Sequence, residues 1–329
     1  MILIRHNNEG NLKPYFYFAL EEYAYKHLLK DDETFFFTWE IKGVVIGKNQ
    51  LIENEVNIDF LKNNNISLFR RPTGGGCVYA DHRNTMFSIV AKRGKGTFSF
   101  KEYLQKIIDS FELLNIEVVF SGRNDLLFAG KKISGNAFLQ NKYGMVMHGT
   151  LLYDVDIETM VRAITPSDEK LVSKGIESVR SRVVNLKPYL GGITQEQLIK
   201  HLENTLTNKT YTLSPKEIEI INEMAQKYSD KEFIYKKQPP HTKILKKRMS
   251  GGLFEIVLDL AEGIIRKLSL HGDFFDLKNL KEFEDLFINK PYESYIIKDI
   301  LTNNPIFNYI LDAKNDEFIE LLESGIINL

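Results

Sequence analysis

A chain of 329 residues suits one large domain, or a large domain and a small one, and 43% hydrophobic with 26% charged residues is the balance of a soluble globular protein. Lys+Arg at 43 nearly cancels Asp+Glu at 44, and the net charge of -1 leaves no global basic field to hold nucleic acid. The one cysteine, Cys77, excludes an intramolecular disulfide framework, and no uncharged apolar run is long enough to span a bilayer, so a cytoplasmic protein is expected.

The opening MILIRHNNEG turns polar too early for a signal-peptide core. Residues 14–30 place Phe16, Leu20, Tyr23, Ala24 and His27 at helical spacing, with Pro14 in the first turn. TFFFTWE (34–40) and GVVIG (43–47) read as a strand pair, 54–65 as a helix, and 66–70, 77–80 and 85–92 as strands around a glycine loop. A helix with a clear apolar stripe is predicted over 100–115. The segments EVVFS, DLLFAG, KKISGNAF and GMVMHGTLLYDV then follow as strands at hairpin-like intervals. Residues 156–229 read as mainly helical, apart from the basic stretch KGIESVRSRVVNL (174–186). The paired prolines of KKQPPH (236–241) make the best linker. Beyond it, KILKKR (243–248) reads as solvated surface, followed by a hairpin around Ala-Glu-Gly and then helices. The expected class is α+β. Mixed or antiparallel sheets with flanking helices fill residues 1–240, and a small α+β accessory domain fills 241–329.

The chemistry concentrates in three places. In RRPTGGGCVYAD (70–81), consecutive glycines let backbone N–H groups approach a ligand, and Arg70 and Arg71 add charged forks suited to phosphate or carboxylate. The same stretch also reads as a tight turn with two solvated arginines. It is neither a G-x-x-x-x-G-K-[ST] loop nor a G-x-G-x-x-G fingerprint. In GRNDLLFAGKKISGNAF (122–138), Asn124 and Asp125 could hold a hard cation or simply make an Asx turn. Lys131 and Lys132 point to opposite faces of a strand, so only one can serve a site, and Ser134-Gly135 permits close backbone approach. In MHGTLL (147–152), His148 lies in an apolar strand, where a satisfied structural histidine is the commoner case. No zinc-ligand spacing or G-x-S-x-G occurs, so metalloprotease and serine-hydrolase readings have no support.

Together, RRPTGGGCVYAD, SGRNDLLFAGKKISGNAF, HGTLL and KGIESVRSRVVNL, in that order, resemble the lipoate–protein ligase A family of the biotin/lipoate ligase-like superfamily; LEEY in the first helix and VVIGKNQ (44–50) fit the same pattern. The resemblance covers about residues 15–190, and the final segment fits the small accessory domain of longer members. It implies activation of lipoate with ATP and Mg²⁺ to lipoyl-AMP, then lipoyl transfer to a lysine of a lipoyl domain. The acceptor would be a 2-oxo acid dehydrogenase acyltransferase subunit or a glycine-cleavage H protein. By resemblance, Arg71, Gly75, Gly76, Cys77, Val78 and Tyr79 hold the nucleotide, and Lys132 contacts both the lipoate carboxylate and the α-phosphate. Arg70, Gly74, Gly75, Ser134, Gly135 and His148 would contact lipoate. Arg180 and Arg182 would meet phosphate from a closing loop, Asn124 and Asp125 would hold Mg²⁺, and VVIG would line the slot for the lipoyl tail. Two positions depart from the family pattern: Cys77 stands where many members have Ala, and Ala80 where many have His. Two rival readings are an ATP-independent lipoyl or octanoyl transferase and a catalytically silent lipoate-binding protein.

Overall fold

In a computed structural model, residues 1–7, 12–30, 33–92, 100–122, 124–164, 177, 179–235 and 242–326 are described. The 236–241 linker and most of 165–178, including Lys174–Ile176, lie outside them. The strands in chain order are β1 (Ile2–Arg5), β2 (Thr34–Trp39), β3 (Gly43–Ile46), β4 (Leu68–Arg70), β5 (Val78–Ala80), β6 (Asn84–Ala91), β7 (Val118–Ser121), β8 (Asp125–Phe128), β9 (Lys131–Gln140), β10 (Met145–Leu152), β11 (Lys209–Thr212), β12 (Lys243–Met249), β13 (Gly252–Ala261) and β14 (Ile264–Gly272). They form an eight-stranded sheet in the order β11-β1-β2-β6-β10-β9-β8-β7 and two three-stranded sheets, β4-β3-β5 and β12-β13-β14. The class is α+β, as expected.

The large sheet is covered on both faces, which is why β6 and β10 are buried at every residue. Alternation sorts their side chains between two cores. Phe36, Phe87, Ile89 and Met147 face the helices Phe100–Glu112 and Gln195–Leu206, whereas Phe35, Phe37, Val90 and Val146 face the helices Pro14–Tyr23 and Pro215–Ser229. Two of these helices are started by capping boxes, Thr194 with Gln197 and Ser214 with Glu217, each satisfying end N–H groups in both directions. A third core, from Leu245 to Leu322, lies under β12–β14, and a fourth packs the small sheet against residues near Met160.

The sequence reading is corrected in several places. The first helix ends at Tyr23 and continues as a π-helical turn, Ala24–Leu28. The 54–65 helix is two short pieces, Ile52–Glu55 and Ile58–Asn63. β2 and β3 do not pair, because both edges of β2 are taken by β1 and β6, so β3 becomes the centre of another sheet. β11 interrupts the stretch read as helical and pairs in parallel with β1. KILKKR is an edge strand whose Lys246 and Lys247 pair with Glu255 and Glu320, so its charges guard a sheet edge.

Candidate active site

The glycine loop runs from β4 into β5, with β3 lying between those strands. Its shape is set by Arg71, whose Nε donates to Thr73 Oγ1 (3.0 Å) and Gly74 O (3.2 Å), Nη2 to Gly74 O and Gly76 O (both 2.7 Å) and Nη1 to Val45 O (3.3 Å). The side chain is buried, and that burial lowers its pKa to about 10, so it remains a cation at neutral pH. Arg70, expected beside lipoate, points elsewhere. It is buried and donates to the carbonyl oxygens of Gly47, Lys48, Gln50 and Ile234, which ties β3's exit to the helix Lys231–Ile234.

The three glycines serve different neighbours. A Cβ on Gly74 would lie 2.4 Å from Phe274 O, and one on Gly75 would lie 2.8 Å from the Phe275 ring and 3.0 Å from Arg71 Nη2. Gly75 also has φ +88 and donates its N–H to Phe274 O (3.1 Å). A Cβ on Gly76 would meet nothing within 4 Å. Two glycines therefore admit the segment after β14, and only Gly76 opens onto the cleft.

Across the cleft, the pairing of β8 with β9 shifts register between Leu126 and Leu127, leaving Ile133 without an opposite residue. Such a bulge re-aims side chains. Lys132 folds over Gly135, where a Cβ would stand 2.9 Å from its Nζ and Cε, and its ammonium lies 2.8 Å from Asp125 Oδ1. Lys131 leaves on the other side, Nζ reaching Arg180 O (3.3 Å). The segment after Val179 is laid along β9 by a bridge from Lys132 to Val183 and by Val184 N donating to Lys132 O (3.0 Å). Asn124 straps the hairpin: its Nδ2 donates to Asn136 O (2.6 Å), and its own carbonyl accepts from Asn136 N and Nδ2.

These walls enclose a cleft of about 80 Å³ lined by Arg71, Gly76, Cys77, Val78, Asn124, Lys132, Gly135, His148 and Thr150, with an apolar side of Phe18, Trp39, Val45, Met86 and Ala137. Tyr79 turns instead into the small-sheet core, where burial and Asp81 push its phenol up to about 12. Ser134 is fully buried with its hydroxyl toward Asn136, and Arg180 and Arg182 are exposed and absent from the lining. Ala80 is fully buried, whereas His82 is exposed on the next turn and cannot stand in for a histidine there. Burial, with the charge of Glu55 added, pushes the Cys77 thiol up, which keeps it a thiol rather than a nucleophilic thiolate at neutral pH. Sequence reasoning did not single out Glu21, Thr73, Trp39, Asn136 or Thr150. The legible signal for Glu21 was a carboxylate on a helix whose neighbours Phe18, Ala19 and Leu20 are all apolar.

The profile of the Lipoyl protein ligase A/B catalytic domain matches residues 13–207, and that of the Bacterial lipoate protein ligase C-terminus matches 238–322. The lipoate-protein ligase LplJ of Bacillus subtilis is 32% identical over 326 residues, covering 96% of this chain and 98% of its own. The chain belongs to the lipoate–protein ligase family. The lipoate–protein ligase of Streptococcus pyogenes is 34% identical, over 93% of this chain and 94% of its own. Among solved structures, Plasmodium falciparum LipL1 in complex with lipoate superposes with TM-score 0.81 at 22% identity, covering 100% of this ligase and 99% of its own chain, a likeness of fold. The bi-partite lipoate protein ligase of Thermoplasma acidophilum superposes with TM-score 0.65 at 26% identity, over 74% of this chain and 98% of its own.

Proposed function

We propose that this ligase joins lipoate to AMP from ATP and then passes the lipoyl group to a lysine of a lipoyl-domain protein. The observation that carries this reading is the Lys132 side chain, folded over Gly135 and lining together with Gly76 a cleft with one apolar flank. The apolar flank suits the lipoyl tail, and Lys132 suits its carboxylate. Gly76, Cys77 and Val78 suit the phosphates, with Arg71 as a buried cation behind them. In the first step a carboxylate oxygen bonds to the α-phosphorus and the bond to the β-phosphate breaks, releasing pyrophosphate. In the second, the acceptor amine bonds to the acyl carbon, the bond to AMP breaks, and the amine gives up a proton. Two anions must meet in the first step, so neutralisation and positioning are the main contributions available to the protein.

Mg²⁺ fits the residues present in a limited way. Among the described residues no group of three or more His, Cys, Asp or Glu side chains could hold a metal. Asp125 Oδ1 is buried and ion-paired with the Lys132 ammonium at 2.8 Å, so this carboxylate could supply the single ligand that Mg²⁺ uses together with substrate phosphates once Lys132 turns to the substrate. The ion would neutralise phosphate charge. Asn124 is occupied as a strap and serves the hairpin first. A division near residue 240, with a catalytic unit over 1–240 and an accessory unit over 241–329, is supported by the core drawn from Leu245–Leu322. No helix among the described residues is long and apolar enough to cross a membrane, which is compatible with a cytoplasmic site of action. The acceptors we infer are 2-oxo acid dehydrogenase acyltransferase subunits or a glycine-cleavage H protein.

Lipoate-dependent exchange of labelled pyrophosphate into ATP tests the reading, because an ATP-independent transferase would show none. Lys132→Ala removes two charge-assisted hydrogen bonds of about 1.5–3 kcal/mol each, so exchange should fall roughly 10²–10⁴-fold in a folded protein. Undiminished exchange in that variant would remove the lysine from the mechanism.

A further inference from the structure

A chain of buried polar side chains runs beneath the cleft from the helix Pro14–Tyr23 to the glycine loop. Trp39 Nε1 donates to Ser88 Oγ (3.0 Å), and Ser88 Oγ donates to Glu21 Oε1 (2.6 Å). The same carboxylate oxygen lies 2.8 Å from His148 Nδ1; His148 Nε2 lies 2.9 Å from Thr73 Oγ1; and Arg71 Nε donates to that hydroxyl at 3.0 Å. Glu21, Thr73, Ser88 and His148 are each at most 4% exposed. The sheet register builds the middle of the chain, since His148 on β10 stands directly opposite Ser88 on β6.

The sense of every link follows from the end groups. Arginine only donates, so Thr73 Oγ1 accepts from Arg71 and its own proton is free to go to His148 Nε2. A carboxylate only accepts, so His148 Nδ1 carries a proton and donates to Glu21. A proton on Nε2 instead would face an oxygen already accepting from Arg71 and would take from the Thr73 hydroxyl its acceptor in the chain, inside the core, where an unmet donor is costly.

We propose that Glu21, His148 and Thr73 are positioning residues that hold Arg71 in the orientation shaping the glycine loop, with His148 fixed as its Nδ1–H tautomer. Of these linked residues Trp39, Arg71 and His148 line the cleft; Thr73 and Glu21 act through Arg71 and His148. The assignment rests on the reading that the loop cradles the adenylate. It adds that a carboxylate on the first helix sets the geometry of a guanidinium on the far side of the cleft floor.

The test separates a hydroxyl link from mere packing. Thr73→Val keeps the shape and removes both hydrogen bonds, whereas Thr73→Ser keeps both. Pyrophosphate exchange by folded Thr73→Val should fall roughly tenfold or more in kcat, while Thr73→Ser stays within about twofold of the parent. In an Arg71→Lys background, where no guanidinium fork exists to be aimed, Thr73→Val should add less than about a twofold loss. Equal kcat in Thr73→Val and the parent, or losses that simply multiply in the double variant, would overturn the proposal. A second readout needs no turnover: ¹⁵N spectra of histidine-labelled protein, with His148 assigned through His148→Gln, should show a protonated Nδ1 and a bare Nε2. An Nε2–H tautomer would refute the relay. Absence of exchange in the parent protein would instead defeat the ligase reading and leave the relay to be judged by the spectrum.

Discussion

Gly75 and Gly76 are neighbours with opposite surroundings, and the difference is testable at the level of one methyl group. At Gly75 a Cβ meets the Phe275 ring and Arg71 Nη2 at positive φ, so Gly75→Ala should cost about 1–3 kcal/mol through strain and overpacking, read as a lowered Tm. At Gly76 the added methyl has open space, so Gly76→Ala should leave Tm unchanged while weakening pyrophosphate exchange, because the space it fills is the cleft. An unchanged exchange rate in Gly76→Ala would mean that no ligand approaches that backbone. The sequence shows three glycines in a row and invites one explanation for all of them. Two of the three neighbours, Phe274 and Phe275, lie about two hundred positions away and leave no local trace. Arg70 and Arg71 show the same limit. Adjacent, identical side chains at the end of β4 leave in different directions, and only the fold says which one meets the loop.

At the scale of elements, the helix Pro14–Tyr23 is fastened to the helix Pro215–Ser229 by one carboxylate. Glu22 accepts from Lys227, from Tyr228 Oη (2.6 Å) and from Lys26 (2.6 Å). Burial alone would raise its pKa, but the bonds from Lys227, Lys26 and Tyr228 outweigh that and bring it down to about 2, well below the usual carboxylate range. A depressed carboxyl contributes stability above its unfolded pKa and loses it as pH falls through the folded value. The contribution is therefore complete above about pH 5, fades towards pH 2, and amounts to about 1–2 kcal/mol once screening of the half-exposed Lys227 is allowed for. Glu22→Gln should lower the unfolding free energy in urea by that order at pH 7, with a gap from the parent that narrows below pH 4. A gap independent of pH would rule out the charge as its source. Most elements were visible beforehand through period and punctuation, as with Phe35–Phe37 of β2 or the stripe of Phe100–Glu112. Two of the misreadings share one cause. β2 next to β3, and Lys209–Thr212 inside a helical stretch, are decided by which sheet edge is vacant, a property of the assembled fold.

At the scale of the molecule, the segment after β14 is the back wall of the glycine loop. Gly272 N donates to Asn49 O (3.0 Å), Asp276 takes bonds from Lys48 (2.7 Å) and Asn49 (3.2 Å), and Phe275 packs on Phe138 with ring centroids 4.8 Å apart. Lys48 is about two-fifths exposed, so screening discounts its ion pair, and Asp276→Ala should cost only about 1–2 kcal/mol in all. It should nevertheless slow pyrophosphate exchange, because Gly74 and Gly75 lean on the same segment. Limited proteolysis together with exchange kinetics would check this, and loosening without any kinetic effect would show that the wall does not steady the loop. The sequence offered the C-terminal segment as an appendage, and nothing local announces that Phe275 belongs to the main hydrophobic core.

β1 sits between β2 and β11, pairing Ile2 with Phe35 on one side and with Lys209 on the other. At 5–20 residues per second, a ribosome delivers β11 roughly 10–40 s after β1. Until Lys209–Thr212 has been made, β1 has no partner on that side, and an unpaired strand edge is the kind of surface that invites pairing with another chain.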